Sequence, residues 1–106
     1  MIKNEIYIGL NDSEKKEQLF ETSRYVSVLK NVCRNYGIPF SFSIIEGGYM
    51  HDSGEYTQET SLVLTLIDVD QEIVREIAED LCVFFKQESV LVTSGNVESY
   101  SIRGKL

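Results

Sequence analysis

The sequence predicts an α+β fold in a single domain, residues 1–106, with two helices lying on one face of an antiparallel sheet. Three observations predict it. Apolar residues alternate at period two in several short runs, they recur at three- and four-residue spacing in two longer runs, and the runs follow the order β-α-β-β-α-β. At 106 residues with 42% hydrophobic content the chain can build one core without metal or disulfide staples.

Glu5 to Leu10 alternates Ile6 and Ile8 with Tyr7 and Gly9, the pattern of a first strand. Asn11 or Ser13 is the expected cap of the first helix, with Glu14 in capping-box spacing after Asn11. Leu19, Thr22, Val26, Leu29, Cys33 and Tyr36 then form one apolar stripe. Gly37 suits the left-handed position that closes a helix, and Pro39 prevents its return. Phe40, Phe42 and Ile44 share one face of a second strand, and Gly47-Gly48 within it signals a bulge or a close backbone approach, the bulge being the plainer account.

Leu62, Leu64 and Leu66 mark a third, central strand, so Ser41 to Asp70 reads as a long β-hairpin between two helices. Asp68 or Asp70 caps the second helix, whose apolar stripe is Val74, Ile77, Ala78, Leu81 and Phe85, and Gln87 ends it. Ser89 to Thr93 is a fourth strand. Ser94-Gly95-Asn96 signals a tight turn, and Val97 to Ile102 is an expected extra C-terminal strand. This is the ferredoxin-like arrangement. Its helix-free face would carry Ile45, Val63 and Ile67, which makes a homodimer the expected assembly.

The net charge is −7 and is unevenly spread: between Asn35 and Phe85 ten carboxylates face one base, Arg75. Direct nucleic-acid binding is disfavoured on such a surface, which instead suits a basic protein partner. No apolar run approaches the roughly 20 residues that span a bilayer, and polar residues interrupt the N-terminal run, so neither a membrane nor a secretion signal is indicated and the cytoplasm is the expected location. Cys33 and Cys82 sit at apolar helical positions and read as free, buried thiols.

The segments Glu5-Ile-Tyr-Ile-Gly-Leu10, Gly48-Tyr49 with Gly54, Glu59-Thr60-Ser61-Leu62, and above all Phe85-Lys-Gln87-Glu88-Ser89-Val90-Leu91 resemble a family of short bacterial domains of unknown function. That resemblance covers most of the chain and implies an α+β fold with no assigned reaction. The layout also resembles the trimeric signalling proteins of the nitrogen-regulation type, whose ligand loop lies between the second and third strands. The corresponding segment here has no lysine or arginine to meet a phosphate.

Candidate chemistry centres on the segment from Gly47 to Glu59. Tyr49, His51, Asp52, Glu55 and Tyr56 form a polar, glycine-flanked recognition loop in which the tyrosines supply contact area at small rotamer cost. His51 lacks a second histidine or ligand spacing for a metal, so no metal and no cofactor is expected. Gln87, Glu88 and Ser89 fit a helix-to-strand junction secured by side-chain hydrogen bonds, and no base can be named beside Ser89.

The sequence therefore points to a non-catalytic binding module. Its loop would act with Glu72, Glu76 and Asp80 of the second helix on a protein partner, as a phage or mobile-element inhibitor of a nucleic-acid-binding protein would. The alternatives are a small-ligand sensor with its site between protomers and an enzyme using His51 and Glu46.

Overall fold

The computed structural model describes residues 1–105, with Tyr49 described through its backbone alone. Element order is β1 (Ile2–Gly9), α1 (Thr22–Tyr36), β2 (Ser41–Met50), β3 (Tyr56–Ile67), α2 (Gln71–Phe84) and β4 (Leu91–Asn96). The sheet runs β2-β3-β1-β4 and every neighbouring pair is antiparallel. This is the ferredoxin-like β-α-β-β-α-β fold read from the sequence.

Alternation in β1 and β3 explains the core. Ile6 and Ile8 from β1 and Leu62, Leu64 and Leu66 from β3 are buried on the helix side, in register as Ile6↔Leu64 and Ile8↔Leu62. Tyr25, Leu29, Val32 and Cys33 of α1 and Val74, Ile77, Ala78 and Leu81 of α2 close over them. Phe40 and Phe42 pack against this core, as their apolar strand pattern implies. Helix α2 presents the stripe that its three- and four-residue spacing predicts, whereas the buried face of α1 is centred on Tyr25, Leu29, Val32 and Cys33, with Thr22, Val26 and Tyr36 half-buried beside it. Tyr36 at the end of α1 donates its hydroxyl to Asp80 Oδ2 of α2 at 2.8 Å, tying the two helices together. That hydrogen bond, with burial, pushes the phenol up to about 12. Both cysteines are free; Cys33 is buried, and burial pushes its thiol up to about 11.

Helix ends follow from local chemistry. Gly37 closes α1 at φ 64°, and its N–H bonds Arg34 O. Asp70, rather than Asp68, caps α2 by accepting from Glu72 N at 2.8 Å. The start of α1 differs from the sequence reading. Asp12 Oδ1 accepts the N–H groups of Glu14 and Lys15, Asn11 bridges to Gln18, and Lys16 adopts φ 62°. The polar side chain satisfies the backbone in a loop, so the helix begins only at Thr22 and leaves Leu19 and Phe20 exposed.

Two further expectations are corrected. Gly47 and Gly48 form no bulge, because β2 keeps unbroken register through Gly47↔Glu59 and Gly48↔Gln58. A Cβ on Gly48 would lie 2.7 Å from the Tyr56 ring, so the glycine marks a close approach. Ser94-Gly95-Asn96 is likewise no turn. It pairs with Asn4, Lys3 and Ile2 of β1 and ends β4, since ladder hydrogen bonds to a strand already in place outweigh turn preference. Among the described residues, those from Val97 onward form no fifth strand.

On the helix-free face, Ile45 and Ile67 remain exposed whereas Val63 is covered. Among the described residues no helix is long and apolar enough to cross a membrane.

Candidate functional site

The site begins where the sheet loses a strand. The β1 ladder stops at Gly9↔Ser61, Leu10 N adds one further bond to Thr60 O, and β3 continues out to Tyr56 in register with β2. The hairpin therefore overhangs the end of β1, and its tip is a tight turn in which His51 N bonds Glu55 O and Gly54 N bonds His51 O. Beneath the overhang lie the Leu10–Gln18 loop and the junction after α2. These two are knitted together: Ser13 N donates to Lys86 O, and Gln87 Nε2 donates to Asn11 O at 2.7 Å and to Phe85 O.

Together these pieces line a cleft of about 490 Å³ that includes Asp12, His51, Glu55, Glu59, Glu88 and Ser89. Four of these side chains are carboxylates, and Lys16 is the one lysine among the lining residues. Glu59 is the best fixed of them. Its Oε2 accepts the Asn11 N–H at 3.0 Å, and its carboxylate lies so close over Gly9 that a Cβ there would sit 2.5 Å from Oε2. Strand β3 aims this side chain and the glycine of β1 makes room for it. Asp12 is held below its ordinary carboxylate value, chiefly by the Lys15 N–H and further by that of Glu14, against the opposing effect of burial. Around His51, the Thr57 hydroxyl lies 2.6 Å from Nε2.

A second cleft, about 380 Å³, opens on the other side of the overhang. Glu46, Gly48, Tyr56, Gln58 and Gln18 line it, and Glu59 and Asn11 border both clefts. Tyr56 lies over Gly48 and offers a largely exposed ring. Two clefts thus meet at Glu59: both carry carboxylates, and the second adds amides and an aromatic ring.

The sequence candidates divide accordingly. His51 and Glu55 fall in the first cleft and Tyr56 in the second, Asp52 is exposed in the hairpin turn, and the Tyr49 side chain lies outside the described residues. Glu72 and Glu76 are exposed on α2, Glu72 lining a different groove, while Asp80 is half-buried and engaged by Tyr36. None of these three clefts is lined by both the hairpin and the acidic helix. Glu46 and His51 line different clefts. Glu59 bounds the segment singled out in the sequence, but Asn11 and Asp12 and their meeting with it escaped, because pairing across β1 and β3, not local pattern, brings them together. Glu88 and Ser89 were visible as part of the Gln-Glu-Ser-Val-Leu run, read there as a structural junction. Gln87 indeed secures the junction, and its neighbours face the cleft. Among the described residues no group of three or more His, Cys, Asp or Glu is arranged to hold a metal ion.

The chain matches no family model and no curated protein. Solved structures resemble it. A phage SAM lyase in complex with S-methyl-5'-thioadenosine is 27% identical, with a TM-score of 0.67 over 89% of this chain and 79% of that one. The apo state of a phage SAM lyase is 25% identical at TM-score 0.65, covering 94% and 92%. A DUF3240 family protein from Shewanella baltica covers 97% of each chain at TM-score 0.55 and 8% identity. The B. subtilis GlnK–ATP complex gives 0.53 and 15%, covering 90% of this chain and 84% of that one. The latter two bear out, at the level of the fold, the resemblances to a domain of unknown function and to nitrogen-regulation proteins.

Proposed function

We propose that this chain binds S-adenosylmethionine and releases S-methyl-5'-thioadenosine from it. The observation that carries the reading is the likeness to a phage SAM lyase holding that thioether, at 27% identity over 89% of the chain. The acidic cleft supports it, because the substrate brings a sulfonium and an α-ammonium and the cleft offers Glu59, Glu88, Glu55 and Asp12. A phage relative also accords with a phage or mobile-element origin.

The chemistry limits what the carboxylates do. The bond from sulfur to the amino-acid side chain breaks and its electron pair stays on sulfur, which becomes a neutral thioether. The substrate's own carboxylate closes on the freed carbon, so no external base takes a proton. Because the sulfonium charge vanishes along the reaction, an anion pressed against sulfur would stabilise the substrate more than the transition state. The ammonium keeps its charge throughout. Glu59, fixed by Asn11 and Gly9, and Glu88 therefore serve best by gripping the ammonium and aiming the substrate carboxylate at its target. Glu59 borders both clefts, so a substrate gripped there extends toward Tyr56, whose ring supplies a flat surface for adenine.

The test is incubation of the purified protein with S-adenosylmethionine and chromatographic detection of the thioether. Glu59→Gln should lower its formation about 100-fold while circular dichroism stays unchanged. No thioether from the native chain overturns the lyase reading, and binding of the thioether without turnover leaves a ligand sensor.

A second reading rests on α2, where Glu72, Glu76 and Glu79 are exposed and Arg75 is the helix's one base. This face suits non-catalytic capture of a basic, nucleic-acid-binding protein. Glu72→Lys with Glu76→Lys should abolish such capture and leave thioether formation untouched.

A further inference from the structure

Away from the acidic cleft, α2 and β4 leave a groove of about 590 Å³ between them. Its floor is Val74, Ala78, Cys82, Val90 and Val92, and its rim carries Glu72 and Glu79 against a single Arg75. The groove exists because β4 ends the sheet. It pairs with β1 on one side only, and its other edge presents unpaired backbone groups to whatever adjoins it.

The segment after β4 is complementary to this groove. In Val97-Glu-Ser-Tyr-Ser-Ile102, Tyr100 and Ile102 would share one face of an extended strand, and in the structure they are 78% and 82% exposed. Arg103 and Lys105 follow them, opposite in sign to the groove rim. A strand laid on the free edge of β4 would turn alternate side chains onto the floor beside Val90 and Val92.

Reaching the groove of its own molecule would require the chain to reverse. The one tripeptide suited to a turn, Ser94-Gly95-Asn96, is already paired with β1, and Val97 N donates to Met1 O, so the chain leaves still extended along the ladder. Neither glycine nor proline follows until Gly104.

We propose that the segment Val97–Lys105 of a second copy adds as a strand to the open edge of β4. Tyr100 and Ile102 lie on the groove floor and the basic residues lie against Glu72 and Glu79. Exchange in both directions makes a closed pair. This assembly does not depend on the lyase reading.

Cys82 provides the test, since it lies on the groove floor while Cys33 is buried with its thiol pushed up to about 11. The full chain carrying Ile102→Cys is mixed in equal parts as ordinary and nitrogen-15-labelled protein and mildly oxidised. The expected product is a covalent dimer, with a disulfide mapped between Cys82 and the introduced thiol in peptides of mixed label. A disulfide within one chain, or none, overturns the proposal. Independently, removal of residues 97–106 should halve the native mass in light scattering. An unchanged mass, or a full chain that is itself monomeric at 100 µM protein, also overturns it.

Discussion

The two halves of β3 are one continuous strand with opposite surroundings. From Leu62 to Leu66 it lies between β1 and β2 under both helices, and its helix-side leucines are fully buried. From Tyr56 to Thr60 it keeps its ladder with β2 and loses the one with β1, and its side chains are exposed or half-buried and line two clefts. The inner half is specified by removal of apolar surface from water. The outer half keeps its shape through backbone pairing and two glycines that admit large neighbours. Such a division leaves side chains in the overhang free to serve a ligand, because the core does not need them.

The largest expected effect breaks the inner half. Leu64→Ala, at a fully buried position, should cost about 2–5 kcal/mol in urea unfolding. Gly9→Ala probes the seam between the halves. The new methyl would meet the Glu59 carboxylate, forcing it off the Asn11 N–H. Thioether formation should fall as far as in Glu59→Gln, with a stability loss of about 1 kcal/mol. In the outer half, Tyr56→Ala should change stability by about 0.2–1 kcal/mol and weaken binding of the thioether, read by calorimetry.

The smallest effect is a pH response. Asp12 is held below its ordinary value of 3.8, so its contribution to stability is fully present above that pH and is lost as pH falls through the lower folded-state value. Asp12→Asn should flatten that limb of the acid-denaturation curve and lower stability by a constant, pH-independent amount above about pH 5.

What the sequence could reveal follows the same division. Burial imposes period two and period 3.6, and the fold, both helices and the Gly37 stop were therefore legible. Competing local hydrogen bonds leave a weaker trace. Asn11, Ser13 and Glu14 have the spacing of a helix start, yet the Asp12 side chain closed a turn on the same residues. Ser94-Gly95-Asn96 has turn chemistry, yet β1 offered it a ladder. His51 and Glu55 could be singled out because they stand together in a polar run. Glu59 could not be joined to Gly9 and Asn11, since their meeting depends on register between strands some fifty residues apart. The Gln-Glu-Ser-Val-Leu run was conspicuous, but its junction role hid what Glu88 faces.

The unbroken register from Lys3↔Ile67 to Gly9↔Ser61 has one more consequence. A slip of one residue between β1 and β3 would move Leu62, Leu64 and Leu66 to the wrong face together with any change in where Glu59 lands. A molecule with its carboxylate misplaced in this way would also lack a core, and would unfold or be degraded before it met a substrate. Folding thus acts as an inspection of the site. Every chain that passes it carries Glu59 over Gly9, and a preparation of this protein should contain no stable, misassembled fraction.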